Sequence, residues 1–286
     1  MRFRCEPQQT LGREFVLLAP GQGVSAHFHQ TLGDPSRHRR LLAGAQRLRG
    51  RIYQQDGAID PGQLSADGRH IQAADALSWH LLAVDRRERV VACMRYHAHG
   101  PEISFSELSV SQSALARSPE FGPRVREAVE AEIEYAARGG LSYAEIGGWA
   151  ISEDLRCGSE VLQMLLAVYA LGQLTGGALG LSSATIRHHS SSILKRVGGR
   201  PLMARGEEIP PYYDPQYHCE MELLSFDSRS PSAKYADGVR QCRAALLEVP
   251  LVSPEPVEIP LGGLLPLHAA VSDPRHTAAL VTALAL

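Results

Sequence analysis

Residues 143–199 read YAEIGGWAIS, EDLRCG, SEVLQMLLAVYALGQLTGG, ALGLSSATI, RHH, SSSILKRVGG. The pattern is strand, turn, helix, strand, helix. Gly147 and Gly148 fall inside the first strand, where glycine weakens pairing and often marks a bulge or a close approach of backbone to a ligand. Arg156, Gly158 and Ser159 form the turn into an apolar helix whose free N–H groups suit an anion. The alternatives are a strand packed closely under a helix and an ordinary N-cap by Ser159. In that helix Leu162, Leu166 and Tyr169 make one row and Val161, Leu165 and Val168 another, so it is expected to be buried on more than one side.

Outward from this stretch, HRRLLAGAQRLRGRIYQQDG (38–57) carries Leu41, Leu48 and Ile52 at near-helical spacing among arginines. SWHLLAVD and VVACMRYH flank the polar turn Arg86-Arg87-Glu88 as a hairpin, and EISFSELSV (102–110) reads as a further strand. GPRVREAVEAEIEYAARGG (122–140) has Val125, Val129 and Ile133 on one helical face. Its outer side carries the i,i+4 pairs Arg126–Glu130 and Glu134–Arg138. REFVLLAPG near the N-terminus and CEMELLSF (219–226) are strands, VRQCRAALLEV (239–249) is a helix, and no internal repeat is present. The layout predicts an α/β (α+β) domain with a mixed, mostly antiparallel sheet and helices on both faces. The expected divisions are an N-terminal segment 1–36, a domain 37–227 and a C-terminal extension 228–286. The apolar end HTAALVTALAL is too short to span a bilayer and is expected to fold back on the core; docking on a second subunit, as a homo-oligomer, and lying on a membrane surface, disfavoured by the lack of a basic face, are the alternatives.

Bulk composition narrows the function. The 286 residues carry a formal net charge of -2, which points neither to nucleic acid nor to an anionic membrane. Five scattered cysteines (5, 93, 157, 219 and 242) include no Cys-x-x-Cys pair, and no Cys/His ligand cluster appears in linear spacing. Zinc and a disulfide framework are therefore not expected. The polar start MRFRCEPQQ has no signal-peptide core and no apolar run reaches spanning length, so a cytoplasmic setting is expected.

Several residues stand out chemically. Backbone N–H groups of Gly148, Trp149 and Ala150 at a bulge would suit a developing oxyanion. Glu145, alone in an apolar strand, is expected either to have a raised pKa and accept a proton or to be half of an ion pair. His188 and His189, between strand and helix, are a general base and a substrate donor or a solvated pair. Cys157 is read as a packing residue. Arg187, Lys195, Arg196, Arg200 and Arg205 make a locally basic segment, either a docking patch for an acidic partner or a solvated face.

These segments resemble acyltransferases of the Gcn5-related N-acetyltransferase (GNAT) fold. Within it they are similar to the branch holding acyl-homoserine lactone synthases, long-chain N-acyl amino acid synthases and exosortase-associated acyltransferases. The resemblance covers about residues 37–227. It is strongest in EIGGWAIS, similar to the Glu-x-(Ser/Gly)-Arg-aromatic-Ala-Val strand of the lactone synthases, and in DALSWHLLAVDRRERVVACMRYH. It implies that a thioester arm lies in a wedge between parallel strands 143–151 and 178–186. By resemblance Glu145 is the strand's acidic residue and Trp149 its aromatic. Arg95 takes a hairpin position often held by arginine, and Asp75 lies on the acceptor side. The implied activity moves an acyl group from an acyl carrier protein or acyl-CoA thioester to the amine of an amino acid or similar small molecule, with no tightly bound cofactor. A non-catalytic acyl-thioester or carrier-protein sensor and a lactone synthase are the alternatives. Gly148 stands where the lactone synthases carry arginine. The loop from Arg156 departs from the Arg/Gln-x-x-Gly-x-Gly/Ala pattern at Ser159 and Val161, which suits an acyl carrier protein, whose arm bears one phosphate, better than a nucleotide.

Overall fold

The computed structural model describes residues 13–21, 28–155, 159–187 and 189–255, with the side chain of Ser159 also outside the description. Strand β1 (Arg13–Leu18) and the short β2 (Thr31–Gly33) precede helix α1 (Pro35–Gln55). Asp34 caps α1 by accepting from Arg37 N at 2.8 Å, and Pro35 occupies the first turn, where its missing N–H costs nothing. The hairpin is β3 (Trp79–Asp85) and β4 (Val90–His99). Then follow α2 (Gly122–Arg138), β5 (Ser142–Ile151), α3 (Ser159–Leu174), β6 (Ala178–Thr185) and α4 (Ser190–Val197). Four short strands, β7 (Arg200–Pro201), β8 (Met203–Ala204), β9 (Glu207–Glu208) and β10 (Tyr212–Asp214), lead to the long β11 (Cys219–Asp227). Helix α5 (Ala236–Glu248) and β12 (Leu251–Ser253) close the described chain.

One sheet runs in the order β10-β11-β6-β5-β4-β3-β1-β12-β2, with β7 beside β11. Its pairs are antiparallel except β5–β6, β1–β12 and β12–β2. The strands β1, β2 and β12, from either side of 37–227, thus belong to the same sheet. Side chains alternate between its faces, as the two-residue period requires. Leu17, Leu81, Met94, Tyr96 and Ala144 pack with α3 and α5 on one face. Val16, Leu18, Leu82 and Cys93 pack under α1 on the other, and Tyr143, Leu179 and Leu181 pack under α2 on that same face. No helix of the described residues is long and apolar enough to cross a membrane.

One expected element is wrong. Residues 102–110 hold no strand; they form 3-10 turns at Phe105–Glu107 and Ser109–Gln112. Ser104 and Glu107 decide this. The Glu107 carboxylate accepts from Ser104 N at 3.0 Å and Ser104 Oγ at 2.6 Å, a reciprocal cap that fixes a helical turn despite the alternating pattern. The turns carry Phe105, Leu108 and Val110 into the core under α2.

Candidate active site

The glycine pair does form a bulge. Arg95 of β4 pairs with Gly147 and Cys93 with Ala150, so three steps on β5 oppose two on β4. Gly148 has φ +62°, a left-handed conformation that L side chains resist. A Cβ there would lie 3.0 Å from Arg49 Nη1 and 3.2 Å from Arg95 Cβ. The inserted residue also reverses side-chain parity. Tyr143 and Glu145 point to the α1/α2 face, and so does Ala150, while Trp149 and Ile151 pack toward α3.

On its other edge β5 pairs with β6 only from Ser142–Ala178 to Glu145–Leu181. Beyond that register the two strands part, and β6 continues to Thr185 paired with β11 alone. Gly148 and Trp149 therefore have no partner residue on either neighbouring strand. An apolar pocket sits at the root of this wedge, lined by Ile146, Leu165, Tyr169, Ser182, Leu194 and Phe226 among others. Its volume of about 20 Å³ admits little more than one water, so a larger guest needs side chains to move. The indole Nε1 of Trp149, toward the same helix, is buried without a hydrogen-bond partner; such a donor is costly unless something accepts from it.

Across the sheet, Asp75 anchors a buried charge cluster. Its carboxylate accepts from Arg49 at 2.7 and 3.0 Å, Arg95 Nη1 at 3.1 Å, Gln46 Nε2 at 3.0 Å and Gln72 N at 3.0 Å. Arg49 is 1% exposed and Asp75 3%. Burial alone would push Asp75 up, but the hydrogen bonds and charge of Arg49, with Gln72 and Arg95, hold it well below the usual carboxylate range. His80 Nε2 lies 2.7 Å from the Asp75 carbonyl, and burial lowers that imidazole to about 4. The Nε groups of Arg49 and Arg95 have no partner.

Glu145 lies on the same face, opposite His97. It accepts from Ser109 Oγ and Val110 N at 3.2 Å each, and His99 Nε2 lies 3.2 Å from its Oε2. The expectation of a raised pKa is corrected here. Burial pushes Glu145 up, but His99, Ser109 and Val110 outweigh it, and the group lies below its ordinary value. The ion-pair alternative describes it better. The His97 ring lies 4.0 Å from that of His99, tilted by 51°; its Nδ1 is buried without a partner among the described residues, and burial lowers the imidazole to about 4.

The remaining expected residues scatter. Ala150 is back in register opposite Cys93 and packs under α1, so it does not share the unpaired state of Gly148. His189 is exposed at the N-terminus of α4 with φ +58° and no capping hydrogen bond. The end of β6 is four residues, roughly 13 Å, past the level of Glu145, and no described hydrogen bond joins His189 to that carboxylate. Arg156, Gly158 and His188 lie outside the described residues. In the basic segment Lys195 pairs with Glu222 at 2.6 Å and Arg205 with Glu127 at 2.8 Å, leaving Arg187, which donates to the Asp56 carbonyl, Arg196 and Arg200 as its exposed cations without a described ion pair. No residue of β4 is among the pocket's lining residues. Sequence reading missed Arg49, His97 and His99. The His-x-His spacing on a strand, which puts both rings on one face, was the available signal for the last two.

No family model matches the chain, and no curated protein matches it. Solved structures do. The CoA-dependent acyl-homoserine lactone synthase BjaI, solved with SAM and isopentyl-CoA, superposes with TM-score 0.50 at 17% identity, over 86% of this chain and 95% of that one. FeeM, an N-acyl amino acid synthase from uncultured soil microbes, gives 0.44 at 12% identity, over 70% and 89%. The lactone synthase MesI, also CoA-dependent, gives 0.47 at 14% identity, over 82% and 95%. The architecture is therefore the GNAT-like acyltransferase fold that the sequence resemblance implied: a mixed, mostly antiparallel sheet between helices.

Proposed function

We propose that the protein is an N-acyltransferase. It would move an acyl group from a phosphopantetheine thioester, on an acyl carrier protein or coenzyme A, to the amine of an amino acid or similar small molecule. The observation that carries this reading is the parting of β5 from β6 beyond Glu145–Leu181, beside the bulge at Gly148. A wedge of that kind admits a narrow thioester arm between strands, and Gly148 and Trp149 have no register partner on either neighbouring strand, although the Gly148 carbonyl accepts from Cys93 Sγ at 3.5 Å. The apolar pocket behind it suits an acyl chain once its lining opens, and the unpartnered Trp149 N–H suits a carbonyl of the arm. The amine enters from the α1/α2 face. Its nitrogen attacks the thioester carbon, the C–S bond breaks, the thiolate leaves, and the ammonium proton passes to the Glu145–His99 pair. Backbone donors aimed at the oxyanion are worth about 3–4 kcal/mol of barrier each.

The lactone-synthase reading has BjaI as its support, since that neighbour is a lactone synthase solved with SAM. Against it, the room an arginine would need at 148 is taken by the Arg49 guanidinium, brought from α1. The test is an incubation of the full chain with acyl carrier protein and CoA thioesters of graded chain length and a mixture of amino acids. Free thiol is measured and products are sought by mass spectrometry. Thiol release with an N-acyl product is expected, with at least a 100-fold loss of rate in Glu145→Gln. Saturable thioester binding with no release at any chain length would replace the enzyme by a sensor.

A further inference from the structure

We propose that His97, His99 and Glu145 form a binding site for a divalent metal ion of the zinc class. One ligand atom from each lies within 4.8 Å of the other two. The set is built on rigid elements: the histidines are two apart on β4, so both face the α1/α2 side, and Glu145 is the register partner of His97 on β5. Zinc takes imidazole nitrogen and carboxylate oxygen at about 2.0–2.2 Å, which places tetrahedral donors roughly 3.3 Å apart. His99 Nε2 and Glu145 Oε2 already stand 3.2 Å apart, and rotation of the His97 side chain supplies the remaining closure.

Three further features suit a metal better than a hydrogen-bond network. His97 Nδ1 is buried with no protein partner, so one nitrogen of the set stands unused. The carboxylate is already oriented by Ser109 Oγ and Val110 N, the outer contacts that fix a ligating carboxylate. Arg95, a cation on the same strand face, is directed away by its hydrogen bonds to Asp75 at 3.1 Å and Gln72 at 2.7 Å. Two imidazoles and one carboxylate leave a fourth position for water or a substrate atom, the pattern of open zinc sites rather than closed structural ones. The site shares His99 and Glu145 with the acyl-transfer reading, and a bound metal would compete with their acceptance of the amine proton; its readout is metal binding, so the failure of one reading is distinguishable from the failure of the other.

The full chain is stripped with a chelator and titrated with Zn²⁺ by calorimetry, then with Co²⁺ for its visible absorption. One Zn²⁺ per chain is expected, together with tetrahedral-type Co²⁺ bands and a zinc-dependent rise in Tm. His97→Asn and His99→Asn should each weaken binding at least 100-fold and abolish the Tm response, and Ser109→Ala should weaken it about 10-fold. His29→Ala, at an exposed histidine paired with Glu248, should leave affinity unchanged. No saturable binding by the folded parent chain overturns the proposal, whatever the variants do. So does binding that folded His97→Asn and His99→Asn retain.

Discussion

Replacing Gly148 by alanine tests the bulge directly. A non-glycine residue in the left-handed region costs about 1–2 kcal/mol. The new Cβ would also lie 3.0 Å from Arg49 Nη1. That atom cannot simply withdraw, because the same guanidinium holds Asp75 at 3.0 and 2.7 Å in a site where both residues are buried. Loss or lengthening of one charge-assisted hydrogen bond adds about 1.5–3 kcal/mol. The two contributions together come to roughly 3–5 kcal/mol. Urea unfolding of parent and Gly148→Ala, at unchanged m, measures the difference. The Arg49-dependent part should disappear when Gly148→Ala is made in an Arg49→Met background, leaving the backbone strain and a coupling of at least about 1 kcal/mol. A Gly148→Ala variant within about 0.5 kcal/mol of the parent would refute both the strained bulge and its packing on Arg49.

Asp75→Asn removes the one carboxylate that pairs with both Arg49 and Arg95, and should cost about 3–5 kcal/mol by chemical denaturation; a change below about 1 kcal/mol would mean that the buried arginines do not depend on it. Because the folded-state pKa of Asp75 is depressed, its contribution is present above the ordinary carboxylate range and lost as pH falls toward the folded value, so the asparagine variant should show a flatter acid limb. His80 acts in the same direction: buried neutral at about 4 against 6.5 when free, it contributes fully above 6.5 and loses on the order of 3 kcal/mol as pH falls to about 4. Stability measured across that window should slope less steeply in His80→Gln, and an unchanged slope would show that the ring is not the group being protonated.

Much of the fold was legible because local pattern and tertiary context agree. The hairpin of β3 and β4, the amphipathic α2 and the all-round apolar α3 follow from periodicity alone. Two adjacent glycines in a strand told of the bulge, since only a residue without Cβ takes φ +62° without strain. Three things were hidden. Arg49 reads as one of many arginines on α1, and nothing local distinguishes it from solvated ones such as Arg51; its burial depends on Asp75, 26 residues away. The reciprocal Ser104–Glu107 cap overrode an alternation that reads as strand. The low pKa of Glu145 depends on donors at Ser109 and Val110, which those turns deliver from a segment 35 residues earlier.

The parity reversal in β5 ties these features together. Without the bulge, Trp149 would share a face with Glu145 and Ala150 would point toward α3. The extra residue exchanges them, which puts the indole on the side of the apolar pocket and keeps the carboxylate on the side of Asp75 and Arg95. Under the acyl-transfer reading the donor and acceptor therefore come from opposite faces of one strand and meet at a peptide that neither neighbouring strand claims. The same geometry limits what can stand at 148. A long side chain there would collide with Arg49 and close the gap between α1 and β5. Helix α1 places the Arg49 guanidinium against this peptide, tied to Asp75 and fixed in direction. An acceptor would meet a rigid wall there, two guanidinium groups fixed on one carboxylate, with the buried Nε atoms of Arg49 and Arg95 left without partners.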